Sequence, residues 1–129
     1  MAETSQDPAH VVFRSADAAA AQRVEEPWGS LTWLASQGLT GCPNLTVGRV
    51  VIRRGQRNPR HSHANCQEVL HLLAGRLEHE IGGQWVVMQP GDTLVVDAGV
   101  PHHARSVGET DADMVVVYDA GKRQFRPEA

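Results

Sequence analysis

His61 and His63 are separated by one residue, and Glu68 follows after four more, in the segment GQRNPRHSHANCQEVLHLLAG that runs from Gly55 to Gly75. In an extended strand alternate residues share a face, so the two imidazoles project the same way from backbones about 6.5–7 Å apart. From that spacing they can converge on one ion, because Zn–N bonds are about 2.0–2.1 Å long. Four intervening residues let the chain turn and bring Glu68 back beside them, where a carboxylate neutralises part of a divalent charge. Gly55 and Gly75 supply turns where a side chain would obstruct or strain the backbone. A second segment, GDTLVVDAGVPH over 91–102, ends in His102. If it runs beside the first, His102 supplies a fourth ligand. Three histidines and one carboxylate leave positions open on an ion that accepts five or six ligands, which distinguishes a catalytic from a structural site. Six of the seven histidines lie between 61 and 103.

The elements that must position these residues read as β structure. From Leu31 onward come short segments rich in β-branched and aromatic residues: LTWLA (31–35), LTVGRVVIR (45–53), EVLHLLA (68–74), LEHEI (77–81), WVVMQ (85–89), TLVVD (93–97) and MVVVY (114–118). Gly82-Gly83 predicts a tight hairpin, and Pro90-Gly91-Asp92 another turn. Many short strands with close turns point to a sandwich or barrel rather than alternating βα units. Alternation puts Glu68, Leu70 and Leu72 on one face. It puts Leu77, His79 and Ile81 on another, with Arg76, Glu78 and Glu80 turned to water. His79 is therefore expected on the inner face. The alanine-rich stretch Ser15–Arg23 is expected to form one or two helical turns with Ser15 as N-cap, behind a loose tail over residues 1–9.

A chain of 129 residues fits one domain and can bury a core without staples. With 12 basic against 15 acidic residues, the balance leaves no footprint for nucleic acid or an anionic membrane. No apolar run approaches the ~20 residues that span a bilayer. The start, MAETSQDPAH, has neither a basic stretch nor an apolar core, so it does not read as a secretory signal, and a cytoplasmic location is expected. Cys42 and Cys66 are too few for a disulfide framework and are expected as free thiols.

The first segment resembles the first cupin motif at all five fixed positions, Gly55, His61, His63, Glu68 and Gly75. The second is similar to the second cupin motif at Gly91, Gly99 and His102. It departs from that pattern at Asp97, where the family usually has proline, and at Ser106, where it often has asparagine. The resemblance covers positions 45–118. It implies an all-β fold, a double-stranded β-helix or jelly-roll barrel, with a divalent metal (manganese, iron, zinc, nickel or copper) held inside the wider mouth. It also implies frequent homodimers. The expected organisation is a tail and lead-in over 1–30, a barrel over 31–120 and a C-terminal tail over 121–129.

On that basis His61, His63, Glu68 and His102 are the expected metal ligands. Glu68 and His79 are the candidate bases of a metal-dependent enzyme acting on a small polar oxygenated substrate, as an oxidoreductase of the dioxygenase kind or as an isomerase or lyase. The competing function is a non-enzymatic cupin that binds a sugar or organic acid. Several residues carry two readings. His79 is either a pocket-lining polar group or a hydrogen-bonded core histidine. Tyr118 lines the cavity or simply packs. Arg49 turns inward to hold a substrate carboxylate or outward to solvent. Cys66 is a soft neighbour of the metal or an inert small residue. His103 is expected to face outward, and Trp28, Trp33 and Trp85 to be buried or at a subunit contact.

Overall fold

The computed structural model describes residues 9–17 and 22–129. Its first strands are β1 (Gln22–Glu26) and β2 (Gly29–Ala35), followed by a single-turn helix α1 (Gln37–Thr40) and β3 (Thr46–Ile52). Next come β4 (His61–Ser62), β5 (Glu68–Ala74), β6 (Leu77–Ile81) and β7 (Gln84–Met88). The chain ends with β8 (Thr93–Val96), β9 (His102–Ser106), β10 (Ala112–Tyr118) and β11 (Arg126–Pro127). They form two antiparallel sheets, one in the order β1-β2-β3-β10-β5-β8 and the other in the order β11-β4-β9-β6-β7. Neighbours in space are mostly not neighbours in sequence, as the jelly-roll topology requires.

Period-two burial shows why the strands pair this way. In β3, β9 and β10 every second residue is buried, and in β5 the same alternation runs from Glu68 to Leu72 before Leu73 and Ala74 emerge. Val50, Ile52, Leu70, Leu72, Met114 and Val116 from the first sheet meet Leu77, Met88 and Ala104 from the second. Each large aliphatic side chain buried this way contributes about 1.5–3 kcal/mol before chain entropy is counted. Gly82 and Gly83, both at positive φ, make the two-residue turn between β6 and β7, which pairs Ile81 with Gln84. Gly48 serves a different purpose. It lies opposite Trp33 across β2 and β3, and a Cβ there would sit 2.7 Å from the indole ring. The missing side chain lets Trp33 lie flat on the strand beside the cavity.

The barrel is larger than the segment 31–120. β1 begins at Gln22, in the stretch expected to be helical. Its QRVEE sequence suits a solvated edge strand, where Arg23 and Glu25 share a face and pair at 2.8 Å. Ser15 lies in a turn, and positions 18–21 fall outside the described residues, as does the tail over 1–8. At the other end Arg126–Pro127 pairs with β4, so the terminal segment is part of the second sheet. Among the described residues no helix is long and apolar enough to cross a membrane.

Candidate metal centre

The inward positions turn polar around one place in the barrel. Glu68 opens β5, with Tyr118 and Val96 as its partners in the register. His61 of β4 pairs directly with His102, the first residue of β9. His63 lies just beyond β4. All four candidate ligands are buried, with 7%, 3%, 4% and 2% of their surfaces exposed for His61, His63, Glu68 and His102. Their ligand atoms lie within 4.8 Å of one another, so the expected quartet is brought together.

The hydrogen bonds of the three imidazoles fix what they offer. Nδ1 of His61 lies 2.7 Å from the Pro59 carbonyl, Nδ1 of His63 lies 2.8 Å from the Gln124 carbonyl, and Nδ1 of His102 lies 2.9 Å from the Val100 carbonyl. A carbonyl oxygen can only accept, so each Nδ1 carries the proton and each neutral ring turns a bare Nε2 lone pair inward. Backbone carbonyls behind the ring nitrogens are the usual second layer of a histidine metal site. His102 Nε2 lies 3.0 Å from Glu68 Oε1, and His63 Nε2 lies 3.4 Å from the same oxygen. Two acceptors at that distance need a positive charge between them. A second proton on His102 supplies one; a cation shared by all four groups satisfies the whole cluster. The residues therefore fit a divalent ion.

The electrostatics follow from that packing. Burial pushes His61 down to about 4, helped by the neighbouring His102. Burial also opposes ionisation of Glu68, but the imidazoles of His102 and His63 outweigh it and hold the carboxyl well below the usual carboxylate range. His102 moves the other way: burial would lower it, and the contact with Glu68 raises it above its ordinary value.

His79 sits on the inner face of β6, as alternation predicts, with 2% of its surface exposed and its ring centre 5.8 Å from that of His102. Neither ring nitrogen has a hydrogen-bond partner among the described residues, so the reading of His79 as a satisfied core histidine does not hold. Burial pushes it down to about 4, which leaves it neutral at pH 7. Each unpartnered buried nitrogen costs about 1–3 kcal/mol, which marks the ring as aimed at something that enters the cavity.

That cavity has a volume of about 460 Å³. The four cluster residues and His79 form a polar patch in it, Glu26, Asn58 and Arg123 add further polar groups, and Leu31, Val50, Ile52, Leu70, Met114 and Val116 supply much of the apolar wall. Tyr118 lines it too, edge-on to His63 at 4.9 Å between ring centres. Burial raises its phenol well above the ordinary value, so it stays protonated. The C-terminal segment closes one side, where Phe125 stacks on His61 at 4.9 Å and 22°.

Other expectations divide. Arg49 turns outward, in a two-pronged pair with Asp113 at 2.6 and 2.8 Å, so it holds no substrate group. Cys66 is buried in the core but does not line the cavity. Of the tryptophans expected to be covered, Trp28 and Trp33 pack against the core, whereas Trp85 is 49% exposed. His103 faces away from the cluster, as expected. Glu80, expected in water, is instead only 6% exposed. Alternation assigns it correctly to the outer face, but Arg60 and His103 cover it there. Arg60 Nε donates to Oε1 at 2.7 Å, His103 Nδ1 lies 3.2 Å from the same oxygen, and the Gly83 amide donates to Oε2 at 2.6 Å. Arg60 and His103 adjoin His61 and His102, so Glu80 ties together the backbones that carry two ligands. Arg60 holds its carboxyl below the ordinary value. The ionised form is thus the one that stabilises the fold, and its contribution disappears as pH falls through that lowered value. Glu80→Gln is expected to lower stability by about 1–2 kcal/mol at pH 7. In urea titrations the difference from wild type should close once the pH is low enough to protonate Glu80 in the fold, below the ordinary carboxylate value; a gap that is unchanged in acid would refute the charge argument.

The cupin domain family matches residues 48–118, and the chain belongs to that family. Among curated proteins it is similar to the polyketide synthase CurC of Streptomyces cyaneus, with 28% identity over 67% of this chain and 56% of that protein. It is also similar to germin-like protein 3-8 of Oryza sativa subsp. japonica, with 31% identity over 59% of this chain and 36% of the relative. The chain thus spans between about a third and somewhat over half the length of these relatives. Among solved structures an oxalate oxidase superposes with a TM-score of 0.72 at 24% identity, over 79% of this chain and 56% of the other, a likeness of fold.

Proposed function

We propose that this cupin is a metal-dependent enzyme in which His61, His63, Glu68 and His102 hold one divalent ion and His79 serves the chemistry beside it. The observation that carries the reading is the set of three Nε2 lone pairs, locked inward by backbone carbonyls, around a buried carboxylate. Bound there, the ion supplies Lewis acidity toward substrate oxygens. The donor set of imidazole and carboxylate suits manganese, iron, zinc or nickel.

The chain's own residues then do the following. The apolar wall takes the body of the substrate and excludes water. His79, neutral and unpartnered, donates a hydrogen bond to a substrate oxygen through one ring nitrogen or accepts a proton through the other. Tyr118, held as a phenol, can only donate or accept a hydrogen bond at neutral pH. Glu68 is engaged with two histidines, which leaves His79 the better placed of the two candidate bases. A cavity of about 460 Å³ is far roomier than a two-carbon diacid needs and suits a larger substrate with an apolar body. The CurC relative, named a polyketide synthase, supports an oxygen-bearing substrate of that kind.

The test separates metal binding from turnover. Protein purified without chelator or added metal is analysed for its elements, then loaded with iron and assayed for oxygen uptake across 1,3-dicarbonyl and catechol compounds. His79→Gln should keep the metal and lose at least about 10²-fold in rate on any substrate found. A His79→Gln protein with full turnover removes His79 from the reaction. If no compound is turned over but one binds, with an affinity unmoved by loss of the metal, the competing non-enzymatic binder becomes the better account.

A further inference from the structure

The C-terminal segment brings a cation to the cavity that the cluster chemistry leaves unused. Arg123 is half-buried and lines the cavity. Its guanidinium carbon lies 4.4 Å from the ring centre of Trp33, 5.2 Å from that of Tyr118 and 5.7 Å from that of Phe125. Three aromatic faces hold the planar group without consuming its hydrogen-bond donors. The backbone beneath it is clamped. Asn65 Nδ2 donates to the Lys122 carbonyl at 2.9 Å, and the Gln124 amide donates to Asn65 Oδ1 at 2.8 Å, so one side chain grips the residues on both sides of Arg123. The Gln124 carbonyl in turn accepts from His63. Arg23, Arg49, Arg60, Arg105 and Arg126 each face a carboxylate at ion-pair distance. Arg123 has no such partner and makes no hydrogen bond through its guanidinium among the described residues.

We propose that Arg123 determines substrate specificity by binding a carboxylate, so that the substrate class is an organic acid with an apolar body, its acid group on Arg123 and its other oxygens at the histidine cluster. The proposal rests on the metalloenzyme reading above for the second half of that statement only. The reach is right: Tyr118 touches both ends, its ring centre 5.2 Å from the guanidinium and 4.9 Å from the His63 ring centre. A carboxylate fits better than a phosphate because Arg123 is the only Lys or Arg lining this cavity among the described residues. One planar fork matches one carboxylate, whereas a dianionic phosphate calls for more donors. Arg123 also borders a shallower recess beside α1, so the experiment must tie its effect to the cluster.

The probes are 3,4-dihydroxybenzoate, 3,4-dihydroxyphenylacetate and 3,4-dihydroxyphenylpropanoate, each paired with its neutral amide. The catechol end offers two oxygens to the metal and the acid end varies in reach. Zinc is the metal used, because it has no redox chemistry with catechols. Calorimetry measures Kd at pH 7.5 for wild type, Arg123→Gln and Arg123→Lys, with and without zinc. At the best length the acid should bind wild type at least tenfold more tightly than its amide. In Arg123→Gln the preference should fall to within twofold while amide affinity and zinc uptake stay unchanged, and Arg123→Lys should restore part of it. The proposal is overturned by equal binding of acid and amide at every length, by a preference that survives in Arg123→Gln, or by no binding to protein that holds its zinc. Failure of the metal reading looks different: no zinc is taken up. In that case an acid preference that still depends on Arg123 in the zinc-free protein leaves the anion site standing without the metal.

Discussion

Replacing His61 and His63 together by alanine is expected to abolish stoichiometric metal binding while the barrel stays folded. The two rings supply half of the quartet. Losing even an outer partner of a metal ligand typically weakens affinity by about 10–100-fold, so loss of two ligands should exceed about 10³-fold. The fold survives because its core is built elsewhere, from Ile52, Leu72, Leu77 and Met114, none of which belongs to the cluster. The variant also removes two buried imidazoles that crowd His102 and Glu68, which eases the metal-free site. Circular dichroism and elemental analysis read the two consequences separately. A variant that keeps one metal per chain would show that the ion sits elsewhere. A variant that unfolds at 25 °C would show that the cluster supports the barrel rather than occupying it.

The quartet was legible because its geometry is local or motif-bound. One-residue spacing fixes the common face of His61 and His63, and alternation fixes the inward turn of Glu68 and His79. His102 required the assumption that two segments run side by side, and the pairing of His61 with His102 is that contact. Illegible features depend on what covers a face rather than on which face a residue takes. Glu80 reads as solvated because no pattern announces that Arg60, 20 residues away, will fold over it. The alanine-rich stretch Ser15–Arg23 reads as helix-prone, yet its last two residues, Gln22 and Arg23, open β1, an edge strand whose QRVEE sequence shows no apolar alternation and needs none. Arg123, Gln124 and Phe125 read as a tail. Their place at the site comes from contacts such as His63 with Gln124, 61 residues apart, which local periodicity cannot encode. Arg49 could turn inward to a substrate or outward to solvent on its sequence alone. A carboxylate across the strand, Asp113, decides for solvent, and the free guanidinium comes from the other end of the chain.

The metal-free protein is expected to lose stability steeply between about pH 6.5 and pH 4, and His79→Leu is expected to relieve part of that loss. The sign follows from the buried bases. His61 and His79 titrate near 4 in the fold and near 6.5 in the unfolded chain. Below 6.5 the unfolded chain takes up protons that the folded chain refuses, so acid favours unfolding until the folded rings also titrate. Each ring contributes about 3 kcal/mol to this loss, because every pH unit that separates its folded from its unfolded titration is worth about 1.36 kcal/mol. His102 opposes it: its raised value gives the fold a stabilising proton that is present below 6.5 and lost as pH rises through that value. Glu68 adds to the loss only at the acid end of this window, where the unfolded carboxyl begins to take up a proton that the folded one, held well below its ordinary value, refuses. Two rings against one leaves a net loss. Leucine at position 79 removes one of the two and its unpartnered nitrogens, so in the presence of chelator His79→Leu should be at least as stable as wild type at pH 7.5, and its advantage should grow at pH 5 by a further amount of about 1–3 kcal/mol, the contribution of one ring. Wild-type stability that is flat between pH 7 and pH 5, or a His79→Leu variant with the full wild-type slope, would mean that His79 finds a partner in solution and is not the unsatisfied base that the cavity chemistry requires.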